Sequence, residues 1–265
     1  MNSHKTDYFT VNVSVINLYS EPNFRSEIIT QALLGESCSI IDRKDTWIKI
    51  KQWDGYESWA NSFYGVESKQ PYNGSNLVMD NTGIILDPEM ERTIRTIVFG
   101  DRLQTIADSD LGNIILPDGQ KGKTFAHLRS LKCQPTRSGI IKIAMQFIGA
   151  PYAWGGKSPY GFDCSGFVQT IFHAVGIKLP RDAADQAEFL KQEAVDYSTV
   201  QPGDLLFFKV GESIDHVAIT IEKDKYIHAR GYVRISNFNK ANEDFIELLG
   251  KHLELCISIN HWVES

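Results

Sequence analysis

Apolar positions fall into two textures along the chain. In the first half they come in short alternating or β-rich runs, "SVINLYS", "SCSIID", "WIKIKQW" and "YESWA", cut by turn residues such as Asp54-Gly55. That pattern predicts small strands joined by tight turns. After "KCQPTRSG", Cys133 to Gly139, the texture changes. Ile140 to Gly149 has the spacing of a short helix closed by glycine, and Phe167, Val168, Ile171, Phe172 and Val175 mark a second helix ended by Gly176. "RDAADQAEFLKQEA" predicts a third helix. Strands then return as "LLFFKV", "HVAITI" and "YIHAR", the last two joined by the polar turn "EKDK" as an antiparallel hairpin. Helices first and strands after predict an α+β domain, preceded by all-β structure.

The all-β half carries a weak internal repeat at an offset of 65 residues: Leu33-Leu34-Gly35-Glu36 matches Val98-Phe99-Gly100-Asp101. Ile41 matches Ile106, Ile50 matches Ile115, and Asp54-Gly55 matches Asp118-Gly119 one residue out of step. Two copies of one small barrel account for this order of glycine, strand and turn. The predicted organisation is therefore a barrel at 1–68, a divergent copy at 69–134 and an α+β domain at 135–265.

With 265 residues and 42% hydrophobic content, the chain can bury a substantial core. A formal net charge of −6, with no block of like charge, leaves no basic footprint for nucleic acid or an anionic membrane. The first seven residues lack the apolar run of a signal peptide, and no segment approaches the roughly 20 apolar residues of a membrane span. The expectation is a cytoplasmic protein, or a periplasmic or exported one if a leader has been removed. Cys38, Cys133, Cys164 and Cys256 are widely spaced and form no C-x-x-C pair, which predicts reduced thiols rather than a disulfide framework or zinc ribbon.

In "PYGFDCSGFVQTIF", Cys164 sits between Asp163 and Ser165, at the start of the second predicted helix. A buried sulfur, a metal ligand, a disulfide half and a nucleophile are all open for a lone cysteine. The polar, glycine-flanked setting suits a helix start, where unpaired N–H groups and the helix dipole are expected to lower the thiol pKa. A nucleophilic cysteine needs a base, and the base needs a group to orient it. His216 opens "HVAITI" on the face of the small residues Ala218 and Thr220. His228, in "YIHAR", lies on the paired strand with Tyr226 and Arg230 on its face and could orient His216. His4, His127, His173, His252 and His261 have no such setting. Two decoys fail on spacing: "GGKS" lacks the first glycine of a phosphate loop because Pro151 stands there, and Ser165 lacks a G-x-S-x-G frame.

Six ordered motifs, "GAPYAWGG", "FDCSGFVQ", "LPRDAADQ", "QPGDLLFF", "DHVAI" and "YIHA", resemble the NlpC (p-sixty) family of papain-like cell-wall cysteine peptidases. The pattern "NLYSEP … LLGE … DGYESW" resembles the bacterial SH3 (SH3b) domain, whose paired tryptophans the second copy lacks. The resemblance implies Cys164 as nucleophile, His216 as general base and acid, His228 as orienting group, and Tyr152 with the Cys164 N–H at the oxyanion site. It implies no metal or cofactor. Two SH3b-like domains before an NlpC domain are similar to the γ-D-glutamyl-L-diamino acid endopeptidases, which take murein tripeptides or tetrapeptides with a free N-terminal L-alanine. That similarity implies Asp163, Ser165, Glu36 and Tyr56 around the substrate ammonium, with Tyr64 a rival to Tyr56. The competing readings are a wall endopeptidase targeted by its SH3b pair, and a non-hydrolytic protein, either an acyltransferase on the same fold or a binding module with a dead site.

Overall fold

The structure, a computed structural model, describes residues 7–106, 112–131 and 134–263, so His4, Cys133 and the first six residues of the N-terminal reading lie outside the described residues. The chain separates into two compact units, Met1–Leu131 and Lys132–Ser265.

Among the described residues, fourteen strands make up the first unit. β1 (Tyr8–Val11), β2 (Val15–Tyr19), β3 (Ile28–Leu33), β4 (Ser37–Lys44), β5 (Trp47–Lys51), β6 (Glu57–Asn61) and β7 (Gly65–Ser68) form one sheet in the order β3-β2-β6-β5-β4-β1-β7. β8 (Asn76–Val78), β9 (Thr82–Leu86), β10 (Thr93–Val98), β11 (Arg102–Thr105), β12 (Gly112–Ile115), β13 (Lys121–Thr124) and β14 (Leu128–Ser130) form a second, in the order β10-β9-β13-β12-β11-β8-β14. Each position of the second order is the first shifted by one copy, so the repeat is a duplication of topology.

The glycines, acids and Asp-Gly turns matched between the copies do the same work in both, but Ile50 does not correspond to Ile115: Ile50 is buried in the first core and Ile114 in the second, one residue out of step like the turn that follows. Gly35 and Gly100 take positive φ values of 76° and 91°, and Gly55 and Gly119 values of 87° and 83°. Glu36 accepts from the Leu33 N–H at 3.4 Å, and Asp101 accepts from the Val98 N–H at 2.8 Å, each carboxylate closing the turn that precedes its strand. Asp54 caps the Tyr56 N–H and Asp118 the Gln120 N–H.

The copies also lock together through these turns. Leu34 leaves the first barrel and is buried in the core of the second with Val78, Ile85, Ile97 and Ile114. Its N–H donates to Asp101 Oδ1 at 3.1 Å, and its carbonyl accepts from the Arg102 N–H at 2.8 Å. A Cβ on Gly35 would stand 2.1 Å from the Arg102 carbonyl oxygen, so both the close approach and the positive φ demand glycine there. Asp118 ties the junction from the side, accepting from Asn12 Nδ2 at 2.8 Å and pairing with Arg95 at 2.9 Å.

The second unit is α+β. α1 (Arg137–Met145), α2 (Cys164–Ala174), α3 (Ala183–Leu190) and the short α4 (Glu247–Lys251) accompany a small hairpin, β15 (Lys157–Ser158) and β16 (Gly161–Phe162). β17 (Ala194–Val195), β18 (Leu205–Phe208), β19 (His216–Glu222), β20 (Lys225–Arg230), β21 (Tyr232–Asn237) and β22 (Leu253–Ile257) form one antiparallel sheet, ordered β17-β22-β18-β19-β20-β21. α1 stops short of Gly149 because single turns follow it, and Gly149, at φ 89°, donates instead to the Val233 carbonyl of β21. α2 is buried from Cys164 to Phe172 and again at Ala174, and the apolar spacing read from the sequence is that of Phe167, Val168, Ile171 and Phe172 within it. Asp204, in "QPGD", is buried and accepts from Arg137 Nη1 at 2.8 Å, from the Ile259 N–H and from the Gln201 N–H. That carboxylate pins the start of α1 and the C-terminal segment to the entry of β18.

Candidate active site

α2 begins at Cys164 because Asp163 caps it, accepting from the Gly166 N–H at 2.6 Å. Gly166 is required on this first turn, since a Cβ there would stand 2.1 Å from the Gly156 carbonyl oxygen. The "WGG" and "DCSG" motifs are therefore two sides of one backbone contact. Asp163 receives further donors from the Gly155 N–H at 2.9 Å, from Ser165 Oγ, and from both guanidinium nitrogens of Arg181, at 3.1 and 2.5 Å. Arg181 Nη1 also reaches Ser165 Oγ at 3.0 Å. A fork-to-carboxylate pair, buried on both sides, thus flanks the cysteine.

Thr220 pairs with Tyr226 across the hairpin, so His216 and His228, each an even number of residues away, share a face. His216 Nε2 lies 2.7 Å from His228 Nδ1, and His228 Nε2 lies 3.1 Å from Ser236 Oγ on β21. Both rings are buried and pack against aromatics, His216 on Phe208 and His228 on Tyr226. Cys164, His216, Tyr152, Asp215 and Arg230 line one cleft of about 370 Å³. The thiol lies 3.9 Å from the Asp215 carbonyl oxygen, with backbone N–H groups of Val217 and Ser165 also acting on it.

The electrostatics differ from the sequence expectation of a lowered thiol pKa. Cys164 is only 8% exposed, and burial, aided by the charge of Asp163, pushes its thiol up to about 12 against the pull of the Val217 N–H on β19, the Ser165 N–H at the helix start and Arg181. Burial lowers His216 to about 4, with Arg230 acting in the same direction and Asp215 against it. His228 is held neutral by burial and by the neighbouring His216. The resting pair is neutral thiol beside neutral imidazole. Tyr152 is pushed up to about 12, by burial and then by Cys164 and Asp163, so its hydroxyl keeps a proton to donate near the sulfur.

The second unit thus gathers Cys164, His216, His228, Tyr152, Asp163 and Ser165. Glu36 and Tyr56 belong to the first unit: Glu36 is buried and accepts from Gln52 Nε2 at 2.8 Å, and Tyr56 follows the Asp54-Gly55 turn. The reading from sequence did not single out Arg181, Ser236 or Arg230 for roles. Arg181 stands in a quoted motif, and Ser236 lies on β21, where Val233 and Ile235 alternate with Arg234 and Ser236, a strand signal that could have found it.

A helix-borne cysteine facing a histidine pair on an antiparallel sheet defines a papain-like cysteine peptidase. Residues 149–246 match the NlpC/P60 family, and residues 14–64 match the bacterial SH3 domain. A γ-D-glutamyl-L-lysine dipeptidyl-peptidase of Bacillus cereus is 30% identical over 230 residues, covering 77% of this chain and 68% of that protein. A probable endopeptidase p60 of Listeria seeligeri is 42% identical over 91 residues, covering 34% of this chain and 17% of that one. The crystal structure of an NlpC/P60 family protein from Bacillus cereus superposes with a TM-score of 0.82 at 25% identity, covering 97% of this chain and all of that one. The chain belongs to the NlpC/P60 family of cysteine peptidases.

Proposed function

We propose that the enzyme hydrolyses the γ-D-glutamyl to diamino-acid bond of free murein tripeptides or tetrapeptides with an unblocked N-terminal L-alanine, releasing L-Ala-D-Glu for cell-wall recycling in the cytoplasm. One observation carries this reading: the dipeptidyl-peptidase relative aligns over 77% of the chain, whereas the p60 endopeptidase matches only 34% of it. An alignment of that extent is longer than residues 132–265 alone, so it reaches into the barrel unit as well as the peptidase unit.

In the proposed mechanism His216 Nδ1 takes the proton of the Cys164 thiol as sulfur attacks the amide carbon. The tautomer this requires has His216 Nε2–H donating to His228 Nδ1 and His228 Nε2–H donating to Ser236 Oγ, in keeping with the observed spacings. The oxyanion is held by the Cys164 N–H and the Tyr152 hydroxyl. The C–N bond breaks as the His216 imidazolium protonates the leaving amine. Water, deprotonated by His216, then attacks the thioester, and the thiolate leaves to recover its proton. Asp163 and Ser165 wall the ammonium side, with the Asp163 charge shared by Arg181. Glu36 and Tyr56 enter this reading from family resemblance alone.

The test is incubation with L-Ala-γ-D-Glu-diaminopimelate and with its N-acetylated form, using Cys164→Ala as control and following L-Ala-D-Glu by mass spectrometry. Cleavage of the free amine only, absent in Cys164→Ala, is expected. Equal cleavage of both forms would transfer support to a wall endopeptidase, the reading that the 42% identity to the p60 protein favours.

A further inference from the structure

We propose that Arg230 is a substrate-binding residue whose guanidinium pairs with the α-carboxylate of the γ-glutamyl residue, next to the scissile amide. This rests on the reading just given and adds the group that selects the acyl side of the substrate.

Four arginines lie in residues 132–265: Arg137, Arg181, Arg230 and Arg234. Arg137 is paired with Asp204 and Arg181 with Asp163, both carboxylates being buried. Arg234 lies over the Tyr232 ring at 5.7 Å and contacts Ser236. Arg230 ends β20 two residues beyond His228, on the same face, and lines the cleft beside Cys164, His216 and Tyr152. Among the described residues its guanidinium makes no ion pair and no hydrogen bond. In a chain of net charge −6, a free guanidinium at the reacting centre is a ready partner for an anion.

The other charge lining the cleft is Asp215, whose Oδ1 accepts from the Val210 N–H at 3.2 Å. Arg230 and Asp215 act on His216 in opposite senses, and the neutral groups around them are the Cys164 thiol, the Tyr152 hydroxyl and His228, which also feels Arg234. The guanidinium opposes the imidazolium that must form on His216 during amide cleavage. A carboxylate seated on Arg230 cancels that opposition once substrate is bound, so a substrate bearing the anion is favoured in the chemical step as well as in binding. The γ-glutamyl linkage supplies such a carboxylate a few bonds from the scissile carbonyl. An α-amidated glutamyl residue does not.

Wild type, Arg230→Gln and Arg230→Lys would be assayed on L-Ala-γ-D-Glu-L-Lys, its α-amidated form and the diaminopimelate peptide. Arg230→Gln is expected to lower kcat/KM on both acid peptides by about 10- to 100-fold. On the amidated peptide its effect is expected within about twofold, and Arg230→Lys restores part of the loss on the acids. Equal losses on acid and amide would overturn the proposal. A loss confined to the diaminopimelate peptide would overturn the assignment to γ-glutamate and move the partner to the second carboxylate of diaminopimelate. Alkylation of Cys164 gives a readout independent of turnover: the rate ratio of anionic iodoacetate to neutral iodoacetamide is expected to fall about tenfold in Arg230→Gln. An unchanged ratio would count against an anion site at Arg230. Failure of wild type to cleave any of the peptides, with the alkylation ratio still shifted, would instead reject the proposed peptidase substrate.

Discussion

Two buried histidines make the stability of this protein sensitive to acid. His216 has an ordinary value of 6.5 when unfolded and about 4 when folded, so unfolding takes up a proton between those values. Stability is full above the unfolded value and is lost as pH falls towards the folded one, and His228, also lowered, adds in the same direction. Between pH 7 and 4.5 the midpoint of urea unfolding is expected to drop by an amount worth on the order of 1–3 kcal/mol, with His216→Gln flattening the slope. A variant as acid-sensitive as wild type would show that His216 is not the linked group. Arg181→Ala is expected to cost about 3–5 kcal/mol in the same assay, because it strands the buried Asp163 carboxylate. Of these residues, Cys164, His216 and His228 are legible in the sequence, since a cysteine at a helix start and two same-face histidines on a hairpin are local patterns. Arg181 and Arg230 are not, because what distinguishes them is the presence or absence of a partner in space.

At the scale of elements, the glycine and Asp-Gly positions announce the barrels, since a positive φ or a tight turn restricts the residue type. Strands β1 and β7 fall outside the short runs that the sequence pattern marks, and their register comes from pairing β1 with the distant β4 and β7, so they are invisible to a local reading. Gly35→Ala tests the strongest of the local signals. The strained φ and the 2.1 Å approach to Arg102 O are expected to cost about 1–3 kcal/mol, measured as a lower urea midpoint of the barrel unit. Gly119 has an equally positive φ but open space around its Cβ position, so Gly119→Ala carries only the backbone penalty and is expected to be the milder change.

At the scale of the molecule, the sequence predicts two copies of a barrel but not that one completes the other. Leu34 belongs to the first barrel by chain order and to the core of the second by packing. Leu34→Ala is expected to destabilise by about 2–5 kcal/mol and to lower hydrogen-exchange protection at Ile85, Ile97 and Ile114 of the second barrel. Loss of protection confined to the first barrel would refute this account. The shared leucine also bears on how such a chain can be reassembled. A recombination that exchanged the first barrel alone would deliver a side chain with no pocket to enter and leave behind a pocket with no side chain. The pair is heritable only as a single cassette, and any graft onto another enzyme has to cut outside both copies.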